Sequence, residues 1–334
     1  MTKTDERNTG AEEFARLTDP FRRELLAYCY RMLGSVHDAE DLVQEVYLRA
    51  WRSYGAFDGR ASLRTWLYRI ATNTCLNALQ HSSRRVMPSG LASPSDDPPP
   101  PGMRAPEVTW LEPFSERLTG RAPDDPAAIV ASRAGLRLAL IAALQYLPGK
   151  QRAVVILRDV LAWPAADVAE MLDMTGAGVN STLLRARARL ERLVPASDEI
   201  TEPDDPVRRE LLDRFARAFE AVDIPAITRL LTEQASWEMP PVPHWFSGRD
   251  AIARLLGDRL ARVPGGTRLV PAVANGQPAF GMYIRRDDGV LRAHSIQVLT
   301  VTRSGITHIS SFIDEELFAY FDLPLVLAEA EPLP

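Results

Sequence analysis

The residues best suited to contact another macromolecule stand on two helical patterns near the middle of the chain. From Ala165 to Asp173 a short amphipathic stretch turns Val168, Ala169 and Leu172 inward; after Met174-Thr175-Gly176 a longer one runs to Leu193 with Val179, Leu183, Ala186 and Leu190 inward. Two short helices joined by a tight turn form a helix-turn-helix. With Thr175 at its start, the second helix then presents Asn180, Ser181, Thr182, Leu184, Arg185, Arg187 and Arg189 outward. Short hydrogen-bonding groups at the leading end can reach base edges, and guanidinium groups along the shaft meet phosphates. A basic, solvated helix in a structural bundle would carry the same residue types. Gly178 costs such a helix about 1 kcal/mol relative to alanine, so a steric reason is expected there, such as close approach to DNA.

A second set lies nearer the start. Asp38, Glu40, Asp41 and Glu45 place four acids in eight residues, with no base until Arg49, on a helix with one apolar stripe. From Arg60 to Arg85 there are five arginines (60, 64, 69, 84 and 85) and no acid, interleaved with Trp66, Asn73 and Asn77. An acidic helix beside a basic, aromatic and asparagine-bearing one offers one face to a protein and another to nucleic acid. Charged solvated faces are the ordinary account of such runs.

The elements that must position these residues follow from composition and punctuation. At 334 residues, 46% apolar and 25% charged, the chain is of ordinary globular make-up and long enough for two or three domains. The net charge of −5 taken alone argues against a nucleic-acid partner, yet charge is segregated: Pro195 to Pro206 holds five acids and no base. Cys29 and Cys75 fall in separate helical patterns, as expected of core thiols in a reduced compartment. The polar start, Met1 to Glu13, has no apolar core, and no apolar run approaches the ~18 residues of a membrane helix, so a cytoplasmic location is expected. Ten of the 26 prolines lie within 88–126, which reads as a linker; inside it Trp110-Leu-Glu-Pro-Phe114 either docks on a partner surface or forms partly ordered coil.

Three units result. Residues 10–87 are helical throughout, and 127–194 are helical with the helix-turn-helix at their end. After an acidic linker, 195–206, residues 207–322 read as α+β: helices near 207–222, 225–232 and 249–261, then strands at 268–274, 279–285, 291–302 and 305–313 in one curved antiparallel sheet, and a tail, 323–334.

Asp-Ala-Glu-Asp-Leu-Val-Gln-Glu-Val-Tyr-Leu-Arg-Ala-Trp, from Asp38, followed by Arg-Thr-Trp-Leu-Tyr-Arg-Ile-Ala-Thr-Asn-Thr, from Arg64, resembles the region 2 signature of extracytoplasmic-function sigma factors. The helix-turn-helix resembles their region 4, with Val-Asn-Ser-x-Leu-x-Arg-Ala-Arg from Val179 and threonine at 182 where many members carry arginine. The last unit resembles a SnoaL-like domain through Trp237-Glu-Met-Pro-Pro, Trp245-Phe-x-Gly-Arg, Asn275-Gly-Gln-Pro-Ala-Phe and His294-x-x-Gln-Val-Leu.

This resemblance implies two all-α sigma modules followed by an α+β cone. It implies core RNA polymerase and promoter DNA as partners, and no bond-making chemistry, cofactor or membrane. By it, Asp41, Gln44 and Glu45 meet polymerase. Asn73 and Asn77, with Arg60, Trp66, Arg69, Arg84 and Arg85, serve the −10 element as single strand, where unstacking a base costs a few kcal/mol. Asn180, Ser181, Leu184 and Arg185, with Thr175, Thr182 and Arg187, serve the −35 duplex. A cone leaves a cavity between helices and sheet, for which Trp237, Met239, His244, Trp245, Phe246, Phe280, Tyr283, His294, Gln297, Phe312 and Asp314 are the lining set. His294 with Asp314 could form an acid/base pair there; an aromatic core with satisfied histidines is the alternative reading, and a small-molecule ligand the intermediate one. His244, His294 and His308 have no metal-ligand spacing. A polymerase-independent helix-turn-helix regulator would leave the helices at 38–45 and 63–77 without a role, and a SnoaL-like enzyme with helical appendages would account for the last third alone.

Overall fold

The computed structural model describes residues 12–119, 135–193, 206–263 and 266–327. The acidic stretch up to residue 205, the linker's end from 120 and the start of the second helical unit, 127–134, lie outside them. The chain forms two compact units rather than three separate ones: residues 1–85 with 118–195, and residues 86–117 with 196–334.

The first unit is all helical. After α1 (12–18) come α2 (Arg22–Leu33), α3 (Val36–Ser53) and α4 (Leu63–His81), then α5 (Leu138–Leu144), α6 (Gly149–Val155), α7 (Ala165–Met171) and α8 (Gly176–Leu190). Three of these starts are capped: Ser35, Ser62 and Thr175 accept hydrogen bonds from the amides of Asp38, Thr65 and Gly178, covering donors that have no partner within the helix. α3 buries Val36, Ala39, Leu42, Val43, Val46 and Ala50, the i, i+3, i+4, i+7 stripe its sequence predicts, against α2 and α4. α4 packs in turn on α6 and α7, so the two helical stretches share one core. Within it the structure brings Cys29 and Cys75 into hydrogen-bond contact, and burial, then that contact, push the Cys75 thiol up.

The second unit lays α9 (Pro206–Glu220), α10 (Ile224–Leu230) and α11 (Arg249–Leu260) on a sheet of β1 (Leu231–Glu238), β2 (Trp245–Ser247), β3 (Thr267–Ala274), β4 (Gln277–Arg285), β5 (Leu291–Thr302), β6 (Gly305–Phe312) and β7 (Val326–Leu327), with α12 (Leu317–Tyr320) before β7. The order is β2-β1-β6-β5-β4-β3, with β7 beside β5. The sheet is mixed rather than antiparallel, because β1 runs parallel to β6, and part of the expected tail is the strand β7. At Gly305 the backbone passes so close to the Leu230 carbonyl that a Cβ would sit 2.7 Å from its oxygen, and φ is +131°; glycine is required there.

Residues 86–117 form a strap on this unit. The Phe114 amide donates to Asn275 Oδ1 at 2.9 Å, and Asn275 N–H returns a bond to Phe114 O. Ser89 N–H donates to Glu238, Trp245 Nε1 to Ala92 O, and Arg259 to Pro99 O. Leu111 and Phe114 are buried, so the apolar Trp110–Phe114 segment docks.

Candidate polymerase and promoter interface

On α3, the stripe that packs inward leaves Asp41, Gln44, Glu45 and Leu48 on the opposite, exposed face. Glu45 pairs with Arg49 at 2.5 Å, one turn on. Leu48, 56% exposed, sets an apolar side chain among these carboxylates.

On α4, Asn73 and Asn77 point to solvent, and Arg60 is exposed in the preceding loop beside Asp58. Trp66 packs with Phe57 (centroids 4.9 Å apart) and Tyr54, leaving it half-buried next to that loop. The remaining basic residues are engaged within the unit. Arg69 lies 4.0 Å from Glu170, Arg84 stacks over Tyr146 at 4.2 Å, and Arg85 pairs with Asp38 at 2.5 Å.

The helix-turn-helix is α7 and α8. Asn180, Ser181, Leu184 and Arg185 share the outer face of α8, and Leu184 is 71% exposed. Thr182 is not outward, as the sequence reading has it: it is 6% exposed. It stands three residues after Val179 and four before Ala186, inside the buried stripe, and accepts from Arg185 at 3.3 Å. Arg187 is tied to Asp159 at 2.6 Å. Gly178 has a local reason: a Cβ there would lie 3.1 Å from Oγ1 of Thr175, the capping hydroxyl. Helix geometry accounts for that glycine without DNA.

In the second unit the supposed lining set divides between the two faces of the sheet. Phe280 meets Phe215 of α9, and Trp237, Met239 and Phe246 share that core. Tyr283, an odd number of positions along β4, meets Phe318 instead and donates to Pro324 O. Trp245 faces the strap, and Phe312 lies three positions beyond the core residue Ile309. On the core side Gln297 donates to Met282 Sδ at 3.1 Å, while its Oε1, like Nδ1 of His244, is buried with no hydrogen-bond partner among the described residues. His294 and Asp314 form no hydrogen bond to each other among the described residues. Asp314 accepts from Glu316 N–H, and the imidazole of His294 is pulled down to about 4 by burial, then by Arg286 and Arg104.

Arg64, Arg31 and Arg152 carry roles that composition could not foretell. Arg64 donates three bonds to Glu24 and lies over the rings of Tyr68 and Trp163. Arg31 and Arg152 are buried without a carboxylate among the described residues, and burial lowers both to about 10. The nearest signal in the sequence, an arginine one residue before an apolar run, is too common to single them out.

The family model for Sigma-70 region 2 matches residues 17–85, that for Sigma-70 region 4 matches 137–190, and the SnoaL-like domain matches 212–309. The chain is 48% identical over 314 residues to the ECF RNA polymerase sigma factor SigG of Mycobacterium tuberculosis, covering 93% of this chain and 84% of the relative. The chain belongs to the extracytoplasmic-function sigma factors. SigJ of the same species is 30% identical to this sigma factor over 247 residues, 71% of this chain and 70% of SigJ. The crystal structure of SigJ matches the fold with a TM-score of 0.61 at 24% identity, over 94% of this chain and 99% of that one. As an ECF sigma factor with a SnoaL-like domain, the protein is a transcription initiation factor for RNA polymerase and not an enzyme. No helix among the described residues is long and apolar enough to cross a membrane.

Proposed function

We propose that this sigma factor works in the cytoplasm, docks on core polymerase through Asp41, Gln44 and Glu45, captures an unstacked −10 base with Asn73 and Asn77, and reads the −35 duplex with Asn180, Ser181, Leu184 and Arg185. The observation that carries this reading is the exposure of all nine residues on three separate helical faces, each opposite a buried stripe. Exposed side chains with hydrogen-bonding ends are what recognition in the major groove and of single strands needs. Thr182 leaves the set of base-reading residues, and Thr175 serves by capping the recognition helix. In the second unit, Oε1 of Gln297, which has no hydrogen-bond partner among the described residues, supports a small-molecule ligand with Gln297 as its polar contact, whereas Nε1 of Trp237 is engaged by Ser311 Oγ.

The SnoaL-like domain regulates in cis by holding the strap. Residues 86–117 are part of the chain that joins the two promoter-reading modules, and at about 3.3 Å per residue their roughly 30 residues amount to some 100 Å of reach. While Phe114, Leu111 and Ala105 stay buried on the second unit, that reach is withdrawn. Truncation after residue 200 tests the regulation: promoter-directed transcription is expected to change, and unchanged transcription with unchanged polymerase affinity removes it.

A further inference from the structure

Of the arginines that α8 turns outward, 185, 187 and 189, only Arg187 has a carboxylate partner among the described residues. Its Nε donates to Asp159 Oδ2 at 2.9 Å and its Nη2 to Oδ1 at 2.6 Å, the two-pronged fit of a guanidinium plane on a carboxylate, which fixes direction as well as distance. Asp159 stands 28 residues earlier, in the turn Ile156–Val160 that continues α6. That turn is a firm base. Ile156 and Leu157 are buried, and the amides of Leu161 and Trp163 donate back to Ile156 O and Leu157 O, each at 2.9 Å. The pair therefore ties the last turn of the recognition helix to the end of the helix on which it packs.

Arg187 follows Leu184 by three positions and Leu183 by four, so it stands on the flank of α8 between the outward row and the buried one. A phosphate reaching for it would meet the Asp159 carboxylate in the same grip, and the pair brings no net charge to the duplex with which to displace counterions. Arg185, held only by Thr182 within the helix, and Arg189 keep their charge for DNA. What the pair supplies is control of roll. Burial of Val179, Leu183 and Ala186 is non-directional and sets the depth of α8 better than its rotation. Asn180, Ser181, Leu184 and Arg185 swing with any rotation, and bidentate base contacts tolerate little of it.

We propose that Asp159 is a positioning residue for −35 recognition: it takes Arg187 out of the phosphate-binding set and uses it to fix the roll of α8 in the major groove. The inference rests on the sigma-factor reading above. The test uses holoenzyme assembled from core polymerase and the full chain, on a promoter taken from its own mapped start points and on a library of that promoter varied across the −35 element. Asp159→Asn is expected to lower transcription about threefold to fivefold, the scale of a well-aligned exposed ion pair, and to broaden base preference at several −35 positions together, with polymerase affinity unchanged. Arg187→Gln is expected to give the same profile, and the exchanged pair, Asp159→Arg with Arg187→Asp, to restore the original one. A phosphate-bound Arg187 predicts the reverse: removing the charge of Asp159 would raise transcription, Arg187→Gln would weaken all −35 sequences alike, and the exchange would be the worst of the three. Any of those results, an unchanged Asp159→Asn profile, or a loss traced to polymerase affinity overturns the proposal. If Asp159→Asn loses its helical circular dichroism, the exchanged pair decides, by restoring the base preference or failing to. Failure of the unsubstituted chain to initiate at any defined start point would instead strike the sigma-factor reading.

Discussion

Phe114→Ala should release the strap while leaving the helical unit intact. Phe114 is fully buried, and its backbone is held by two bonds to Asn275. Truncating a buried phenylalanine costs about 3–5 kcal/mol, and here the loss falls on a segment that can detach without unfolding the sheet beneath it. At about 1.4 kcal/mol per tenfold, the detached population should rise by two to three and a half orders of magnitude. Native-state hydrogen exchange reads this directly. The amides of Ala105, Leu111 and Asn275, bonded to Pro241, Val86 and Phe114 respectively, should exchange faster by about that factor where local detachment is their opening route, while those of α3 keep their rates. Acceleration of less than tenfold at all three would refute the view that Phe114 anchors the strap.

Thr175→Ala removes the cap of the recognition helix and should cost about 1 kcal/mol, seen as a lower melting midpoint of the helical unit. Leu184→Ala should leave stability within about 0.5 kcal/mol, because the side chain is mostly exposed; promoter choice should shift most where a thymine methyl is presented in the −35 element, with polymerase affinity unaltered. His294 binds its proton only below about pH 4 in the folded chain, whereas the unfolded chain binds it near 6.5. Between those values the unfolded state holds more protons, so stability falls as pH drops through this window; urea titrations of His294→Gln should show a flatter profile from pH 6.5 to 4.

How much could be read beforehand depends on how local the cause is. The inward stripes of α3 and α8 and the strands β3 to β6 follow from side-chain spacing and turn residues that act within a few positions. The strand β1 does not. Leu-Thr-Glu-Gln-Ala-Ser-Trp-Glu follows α10 with no breaker, is poor in β-branched residues, and becomes a strand because β6 pairs beside it some 70 residues later. Thr182 was misplaced because the buried stripe of α8 is wide enough to include i+3 as well as i+4 of Val179. The division of the supposed lining set was available in the sequence as strand parity, since Phe280 and Tyr283 cannot share a face of a regular strand. The contact of the free thiols Cys29 and Cys75, the strap on the sheet and the bonds of buried Arg152 to Met32 O and Gln145 Oε1 depend on contacts far apart in the chain, and no local pattern encodes them.

A chain that gives RNA polymerase a promoter address directs transcripts that begin at defined places. Core enzyme loaded with the purified full chain, run on genomic DNA with sequencing of transcript 5′ ends, measures it most directly. Defined start points preceded by one shared −10 and −35 pair, absent with core enzyme alone and weakened by Asn180→Ala, are the expected result; a chain that fails to join the enzyme, or joins it and yields scattered starts, contradicts the account.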